Sequence, residues 1–341
     1  MKIINKVEYS IYRIPFKTNL ENSNYIYNFQ DYIFIKISKD NTEQVLEVSP
    51  LEKFSNEKIS NIKKIFDDKE YVYENNLPTL EYAISQINQK YFKIQNLKTA
   101  ILIGDNNNLE KKINNYIKYG FKSFKIKFSK NNFESKYKEI DKFFKKYKIR
   151  ADFNNEYSIE EAQIFLDKNK HIKFDFIEGL LKTKNIKDYL KINRYKQKLS
   201  LDLTHNNLKE IVEIIKFNCI DYVAIKPKLL GNYKISIQLI DILYKANIKS
   251  YISSSFETQV GIYKTLSLAK YIDEVYKEKI IHGLSASKYL IDDINNGILF
   301  NKGKISLVHE KLNFNNLLKF QITSWKNIVN KTLLQTINNE F

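Results

Sequence analysis

The stretch Phe121–Phe128, FKSFKIKF, decides how the rest of this 341-residue chain is interpreted. Its side chains alternate, so Phe124 and Ile126 face one side of a predicted strand while Lys125 and Lys127 face the other. Further short apolar runs follow at almost even intervals, and each has a polar residue at or near its end. These polar residues stand 24 to 27 positions apart: Lys127, Asp152, Glu178, Asp202, Lys226 and Ser253.

One strand, one loop and one helix of a repeated βα unit occupy about that length. Eight candidate strands recur at about this spacing: Ala100–Ile103, Ser123–Phe128, Ile149–Phe153, Phe174–Ile177, Leu199–Leu201, Tyr222–Ile225, Lys249–Ser253 and Ile280–His282. Between the strands, apolar residues recur at helical spacing, as in Ile159–Leu166, Leu208–Phe217, Ile235–Ala246 and Gln259–Tyr271. The alternation predicts a closed α/β barrel over residues 98–306, whose polar strand ends share one mouth.

The first 97 residues differ from the barrel and predict a small α+β domain. Alternating and helical apolar spacing predicts three strands and then two helices: Lys6–Pro15, Tyr32–Ser38, Gln44–Val48, Ser55–Phe66 and Leu80–Tyr91. Between the first two strands, the polar and Asn-rich residues 17–29 predict a mobile loop. The segment 307–341 is too short for a domain, so we expect it to pack back on the N-terminal one.

The net charge of +17 invites a nucleic-acid interpretation, but the kind of basic residue does not favour one. Of 56 basic residues only Arg13, Arg150 and Arg194 are arginine, which is the preferred side chain for contacting bases and phosphates. The lysines are spread over the whole chain. We therefore expect no nucleic-acid partner and a solvated surface charge that helps to draw in anionic substrates.

Three negative features point to a cytoplasmic protein. No apolar run reaches the roughly 18 residues of a membrane span, so no membrane insertion is expected. The start, MKIINKVEYSIYRIPF, is interrupted by charges and has no small-residue cleavage site, which argues against a signal peptide. The single cysteine, Cys219, excludes an internal disulfide. The sequence leaves the oligomeric state, monomer or dimer, open.

Lys125 and Lys127 face the lumen if their strand belongs to the barrel. Two lysines in a confined lumen repel each other and are desolvated, and both effects lower the pKa of an amine. One of them is then able to act as a base near neutral pH. The alternative is an exposed edge strand whose lysines are simply solvated.

Asp152, Glu178 and Asp202 end the apolar runs IRADFN, FDFIEG and LSLDLT. Carboxylates are costly to bring together without a cation, so three on adjacent strand ends predict a site for Mg²⁺, with Mn²⁺ as an alternative. Asn154 faces the same way as Asp152 and is a candidate to assist. The alternative is three unrelated acids that cap helices.

Lys226 ends the run DYVAIKP and would face the acids from the far side of the barrel as a second base or a cationic stabiliser. Ser253, Ser254 and Ser255 end the next strand and precede Phe256–Glu257, the expected start of a helix. Hydroxyls and backbone N–H groups at a helix N-terminus bind carboxylates, so these serines are candidate substrate ligands. The alternative role for the serines is ordinary helix capping.

These residues, in this order and spacing, resemble the enolase superfamily and its muconate-lactonizing subgroup. Within that subgroup they are most similar to the o-succinylbenzoate synthases of menaquinone biosynthesis. Three further segments carry the resemblance, which runs from about residue 7 to 290: LEVSPLEKFSNE at Leu46–Glu57, IKPKLLGN at Ile225–Asn232 and SSSFETQVG at Ser253–Gly261.

The resemblance implies an α+β capping domain over a modified, TIM-like (β/α)7β barrel. It implies Mg²⁺ on Asp152, Glu178 and Asp202 and a small dicarboxylate substrate, 2-succinyl-6-hydroxy-2,4-cyclohexadiene-1-carboxylate. Lys127 would then be the acid–base residue of a syn-dehydration. Loops at 17–29 and 49–54 would close over the substrate.

The resemblance also implies roles for the remaining candidates. Lys125 would hold the substrate carboxylate and keep the pKa of Lys127 low. Lys226 would stabilise charge from the opposite face, and the Ser253–Ser255 turn would hold the succinyl group.

The chain departs from the family pattern at three positions. Gly179 follows Glu178 where proline is usual, Leu203 follows Asp202 where glutamate is usual, and Lys228 stands where threonine is common. The expected ligands and bases remain, so we expect activity.

Other activities of the same scaffold also remain open. An N-acylamino acid racemase or a dipeptide epimerase would use Lys127 and Lys226 as two bases. The three serines argue against the epimerase, whose corresponding turn generally carries Asp-x-Asp.

Overall fold

The structure is a computed structural model that describes most of the chain. The described residues are 4–21, 26–40, 42–51, 57–72, 77–88, 94–104, 108–183, 185–203, 205–295, 297–308 and 312–340. None of the helices formed by these residues is long and apolar enough to cross a membrane.

An antiparallel sheet with helices on one face forms the N-terminal part. Its first elements are β1, Lys6–Glu21; β2, Ile26–Lys39; β3, Thr42–Val48; α1, Ile59–Asp67; and α2, Pro78–Ile84. Alternate residues of β2, such as Ile33 and Ile35, point toward the helices, as period-2 patterning requires. They pack with Ile62 of α1 and Leu80 of α2 in one buried cluster.

The hairpin of β1 and β2 occupies the place of the mobile loop expected at 17–29. After a register shift beyond Pro15, Leu20 pairs with Tyr27 and the ladder continues to Glu21 and Ile26. The loop prediction is therefore wrong for 17–21 and 26–29, whereas 22–25 lie outside the described residues. Polar composition misled the prediction because an exposed ladder is held by backbone hydrogen bonds and needs few apolar side chains.

A seven-stranded parallel sheet forms the barrel wall, with its strands side by side in chain order. A short strand, β4 (Leu97–Lys98), leads into it. The wall strands are β5, Ile101–Ile103; β6, Ser123–Lys127; β7, Lys148–Asp152; β8, Phe176–Glu178; β9, Leu199–Leu203; β10, Tyr222–Ile225; and β11, Lys249–Ile252. The α/β barrel with an N-terminal antiparallel domain that the sequence predicts is confirmed.

Residues 280–284 close the wall between β11 and β5, where an eighth strand was expected. The backbone N–H of Ala100 donates to His282 on one side at 2.8 Å, and that of Ser254 donates to Gly283 on the other at 2.8 Å. Each neighbour forms only one isolated bridge with this segment, so it is not a strand. The prediction of a strand at Ile280–His282 is wrong, although the segment fills its place.

Helices cover the outer face of the wall. They are α3, Leu109–Lys118; α4, Phe133–Ile140; α5, Ile159–Lys168; α6, Ile186–Asn193; α7, Ile211–Phe217; α9, Tyr233–Lys245; and α10, Gln259–Val275, whereas the short α8, Pro227–Leu230, follows β10 directly and packs against α2 of the N-terminal domain. Local sequence fixes several of their starts. Ser158 and Glu161 form a reciprocal capping box at α5, and the Asn232 side chain accepts from the backbone of Lys234 at α9.

Aromatic side chains pack tightly between this wall and its helices. The ring of Phe133 lies 4.8 Å from that of Phe165, 5.3 Å from Phe128 and 5.9 Å from Phe153, centre to centre. Phe133 is buried. Packing of this kind anchors the end of β6, where Lys127 lies.

The C-terminal residues return to the N-terminal sheet. The hairpin of β12 (Ile298–Asn301) and β13 (Lys304–Leu307) pairs with β4, and β14 (Lys326–Asn327) pairs with β1. The last helix, α11 (Lys331–Glu340), inserts Leu333 and Ile337 into the same buried cluster as α1 and α2.

Candidate active site

The register of the parallel sheet brings the predicted residues to one side of the wall. Lys127 pairs with Asp152, and Asp152 pairs with Glu178, so these three side chains form one row. Glu178 pairs in turn with Ser200 of β9. Asp202 therefore lies two residues further toward the mouth on the same face, because alternate residues of a strand share a face.

Lys125 lies between two of the carboxylates. Its Nζ is 2.5 Å from Glu178 Oε1 and 3.1 Å from Asp152 Oδ2. Burial alone would lower the pKa of Lys125, but the charges of Asp152 and Glu178 outweigh burial and hold that pKa well above its usual value. Burial likewise opposes ionisation of Asp152, yet the nearby lysines, Lys125 first, hold its pKa well below the usual range.

Glu178 is the one of the three acids whose pKa is raised rather than lowered. Burial and the neighbouring charge of Asp202 together raise the pKa of Glu178 to about 7. Its second oxygen, Oε2, accepts a hydrogen bond from the Tyr251 hydroxyl at 2.5 Å. A buried carboxylate of this kind needs nearby positive charge to remain ionised.

Lys226 provides a second ammonium group from across the barrel. It follows β10, which stands four strands from β6 in the wall, so Lys226 and Lys127 lie on opposite sides of the lumen. Lys226 Nζ donates to Asp202 Oδ2 at 2.5 Å. Although burial opposes it, the charges of Asp202 and Glu178 raise the pKa of Lys226.

Lys127 has different surroundings from the other two lysines. Its Nζ donates to the amide oxygen Oδ1 of Asn154 at 3.1 Å, and no carboxylate within the described ranges forms an ion pair with it. Burial is the largest cause that lowers the pKa of Lys127, and the charges of Lys125 and Lys226 add to it against the opposing charge of Asp152. The pKa of Lys127 shifts in the direction that the sequence analysis expects for a lysine in the lumen, whereas the pKa of Lys125 shifts the opposite way because two carboxylates surround it.

Left-handed backbone turns hold Asn154 beneath Lys127. Asn154 and Asn155 have φ values of 49° and 61°, and Gly179 on the neighbouring strand end has a φ of 58°. The Asn155 N–H donates to the Gly179 carbonyl at 2.6 Å, which joins the two turns. Proline is confined to φ near −65°, so the usual Glu-Pro sequence is incompatible with this turn and glycine is the residue that fits.

The three serines of the Ser253–Ser255 turn are not equivalent. Ser253 continues the lumen-facing alternation of β11. The Ser254 hydroxyl donates to Gly283 at 3.2 Å and accepts from Ala286 N–H at 3.3 Å, so it is engaged in closing the barrel. The Ser255 N–H donates to Glu257 Oε2 at 2.5 Å.

The nearby helix N-terminus is already occupied by a carboxylate of the N-terminal domain. α10 begins at Gln259, where the helical spacing of the sequence also begins, with Thr258 rather than the serines as its cap. Glu47 Oε2 accepts from Thr258 N–H at 3.0 Å, from Thr258 Oγ1 at 2.5 Å and from Gly261 N–H at 3.0 Å. Glu47 thus takes donors of this terminus that the sequence analysis offered to substrate, and the serine turn itself stays a candidate substrate-binding segment.

The donor chemistry of the three acids fits a hard divalent cation. They lie on the adjacent strands β7, β8 and β9, where Asp152 and Glu178 are buried and the side chain of Asp202 is partly exposed, and each contacts an ammonium or a hydroxyl group. As the side chains stand, no three acidic, histidine or cysteine residues in the described parts of the chain already surround a common point. In this arrangement Lys125 contacts Asp152 and Glu178, and Lys226 contacts Asp202.

An open cavity of about 520 Å³ adjoins Asn154 at the mouth of the barrel. Its lining combines amides with charged groups: Ser129, Lys130, Asn131, Asn154, Asn155, Glu156 and Lys182. A volume of this order suits a small-molecule ligand. Of the candidate site residues, Asn154 lines this cavity.

Sequence reasoning missed two contributors to this site. Tyr251 shares the face of Ser253 by strand alternation, so the sequence did contain a signal for it. Glu47 has no such signal, because its partners on α10 are more than 200 residues away. The expected closing segment at 49–54 is described only to residue 51, and residues 52–54 lie outside the described ranges.

Comparison with known proteins places the barrel in a family. Residues 108–307, more than half of the chain, match the family model described as enolase C-terminal domain-like. No curated protein sequence matches the chain significantly.

Several solved structures share the whole fold. An N-succinyl Arg/Lys racemase from Bacillus cereus aligns with a TM-score of 0.78 at 17% identity, over 96% of this chain and 100% of the other. A muconate lactonizing enzyme from Pseudomonas fluorescens gives 0.77 at 14% identity, over 94% and 99%. The L-Ala-D/L-Glu epimerase from Bacillus subtilis gives 0.71 at 17% identity, over 90% and 97%. Identities this low show a common fold.

Proposed function

This chain belongs to the enolase superfamily, and we propose that it catalyses a Mg²⁺-dependent syn-dehydration. The proposed substrate is 2-succinyl-6-hydroxy-2,4-cyclohexadiene-1-carboxylate, and the product is o-succinylbenzoate. The choice of substrate rests on the motifs at Leu46–Glu57 and Ser253–Gly261. The carboxylates Asp152, Glu178 and Asp202 would hold Mg²⁺, or Mn²⁺ in its place.

The observation that carries the proposal is the unequal setting of the two lysines across the lumen. Lys127 donates to a neutral amide at 3.1 Å, whereas Lys226 is paired with a carboxylate at 2.5 Å. This difference supports Lys127 as the residue that gives and takes a proton, and Lys226 as the residue that stays a cation. One base and one fixed positive charge suit a reaction in which the proton is removed and then delivered on the same face of the substrate.

The residues of this chain would divide the reaction between them as follows. Bound Mg²⁺ supplies positive charge that stabilises the negative charge developing on the substrate carboxylate. Lys127 removes the proton from the carbon next to that carboxylate and then delivers it to the hydroxyl on the same face. The C–O bond breaks, water leaves, and the ring becomes aromatic.

The other residues orient the reactants. Asn154 fixes the Lys127 ammonium, Lys125 holds the carboxylate end of the substrate, and Lys226 stabilises the developing charge from the opposite face. Ser253 and Ser255 are proposed to contact the succinyl arm, with Ser254 shaping the turn through its bonds to the barrel-closing segment.

A direct dehydration assay tests the proposal. We expect the purified protein to convert the hydroxycyclohexadiene substrate, to lose activity with EDTA and to regain it with Mg²⁺. Lys127→Ala should lower kcat by at least about 10³-fold, and Lys122→Ala, an exposed lysine beside the same strand, should leave it unchanged. Substantial dehydration by Lys127→Ala would remove Lys127 from the mechanism.

N-acylamino acid racemisation is the second candidate, favoured by the placement of Lys127 and Lys226 on opposite sides of the lumen. Dipeptide epimerisation would use the same pair, but the serines at 253–255 lack the acids expected for a substrate ammonium. Exchange of the α-proton of N-succinyl amino acids for deuterium, without any dehydration activity, would favour the racemase over the dehydratase.

A further inference from the structure

Lys228 is a buried lysine that the proposed chemistry does not use. It lies on α8, two residues after Lys226, and only 3% of it is exposed. Its Nζ donates to the Ser255 carbonyl at 2.6 Å, to the Ser49 carbonyl at 2.9 Å and to Ser49 Oγ at 3.2 Å. An ammonium group has three hydrogens, so these three oxygens account for all of them.

The two residues that Lys228 contacts belong to different parts of the fold. Ser49 directly follows β3 of the N-terminal domain, and Ser255 lies in the serine turn at the end of β11. The contacts with Lys228 span 179 residues on one side and 27 on the other. One side chain therefore fixes the N-terminal segment above the site relative to the turn at the side of the site.

The contacts continue on both sides of Lys228. The Ser49 hydroxyl donates to Glu47 Oε1 at 2.7 Å, and the other oxygen of Glu47 holds the N-terminus of α10. On the far side, the Ser255 N–H is held by Glu257 at 2.5 Å. The backbone N–H and C=O of Ser255 are thus both hydrogen-bonded, and this fixes the direction of its side chain.

We propose that Lys228 is a positioning residue that locks the Ser253–Ser255 turn to the Ser49–Leu51 segment and so sets the subsite for an extended anionic arm of the substrate. This inference rests on the proposed function for its substrate. The usual threonine at this position is too short to reach both carbonyls, so the lock belongs to this chain's own sequence. Removal of Lys228 would therefore weaken the binding of substrate groups distant from the reacting carbon more than it would slow the proton transfer.

The test compares Lys228→Met with Lys264→Met. Lys264 is also 3% exposed, and it lies on α10 beside Gln44 and Val45 of β3. The contacts with Ser49 and Ser255 are made by Lys228. The matched control therefore removes a buried charge at the same domain boundary and leaves the contacts of Lys228 in place. We expect Lys228→Met to raise KM for the hydroxycyclohexadiene substrate about 10-fold or more, with kcat changed less than about 3-fold.

A readout independent of activity is hydrogen–deuterium exchange. Lys228→Met should speed exchange of the backbone amides around residues 46–51 and 253–256, with Tyr32–Ile37 of β2 unchanged. Lys264→Met should not speed exchange at those two segments, and Lys228→Arg, which keeps the donors and the charge, should restore slow exchange and most of KM. If Lys228→Met does not fold, Ser49→Ala removes one contact and should give the same changes on a smaller scale.

The outcomes separate the two proposals. Unchanged exchange in Lys228→Met, or faster exchange with kcat and KM unaltered, overturns the positioning role. A loss confined to kcat overturns it as well, because proton transfer rather than the distant arm would then be affected. If the wild type does not dehydrate the substrate but hydrogen–deuterium exchange in Lys228→Met responds as expected, the positioning role of Lys228 is supported and the proposed reaction is wrong.

Discussion

Glu57 offers a test of how burial controls stability at the junction of the two domains. It precedes α1 and is almost fully buried, and its Oε1 accepts from Thr79 N–H at 2.8 Å and from Thr79 Oγ1 at 2.9 Å. Its other oxygen, Oε2, is buried with no hydrogen-bond partner in the described parts of the chain. Burial raises the pKa of Glu57 from 4.5 to about 7, although the bonds to Thr79 oppose it.

The sign and the size follow from this shift. Between pH 4.5 and 7 the folded protein keeps the proton that the unfolded chain has lost, so the free energy of unfolding falls as pH rises through that window. Stabilisation by the neutral acid is complete below 4.5 and is lost above about 7. At about 1.36 kcal/mol per pH unit, the loss is about 3 kcal/mol.

Glu57→Gln removes the titration and keeps the shape of the side chain. Urea unfolding at pH 4.5 and pH 8 gives the unfolding free energy of wild type and variant. The value for the variant minus the value for wild type should be about 3 kcal/mol more positive at pH 8 than at pH 4.5. Other groups that titrate in the same window cancel in this difference. Glu43→Gln, at an exposed position of β3, is the matched control for the loss of one surface carboxylate. A pH-independent difference for Glu57→Gln would refute the reasoning.

Three further changes probe the core and the site. Phe133→Ala should cost about 3–5 kcal/mol of unfolding free energy by urea titration, because it empties the aromatic cluster beside β6; a cost below about 1 kcal/mol would contradict the packing described. Gly179→Ala places a Cβ 3.3 Å from Asn155 Oδ1 at a φ of 58°, so it should cost about 1–2 kcal/mol and lower kcat as Asn154 shifts; full activity would show that the turn does not position Lys127. Tyr251→Phe removes the hydrogen bond to Glu178 and should weaken Mg²⁺ activation about 10-fold or more in a metal titration of dehydration, whereas an unchanged titration would show that Tyr251 does not orient this carboxylate.

The barrel was accessible from the sequence because two independent periodicities coincide. The alternation around Lys125–Lys127 marks the face of one strand, and the spacing of about 25 residues repeats that face along the wall. Together these two patterns suffice to predict that Lys127, Asp152 and Glu178 lie in one row. The register confirms that row.

Other features were hidden because they depend on contacts between distant residues. The hairpin through Leu20 and Tyr27 is polar in composition and is defined by its backbone ladder. Glu47 and Gly261 reside in separate motifs, and nothing in either motif indicates that the two meet. A Cβ at Gly261 would lie 2.7 Å from the Glu47 carboxylate, so the position of Glu47 requires glycine at 261.

The pairing of β1 with β14 has a consequence for biosynthesis. Glu8 pairs with Asn327, so the sheet of the N-terminal domain is complete only after residue 327 has left the ribosome. The barrel residues lie between these partners and have mostly local contacts from one βα unit to the next, so they are able to fold earlier. During synthesis the edge of β1 would remain exposed while the barrel assembles. A nascent chain stopped before residue 326 should therefore carry a formed barrel and an open sheet edge, a state vulnerable to proteases and dependent on chaperones.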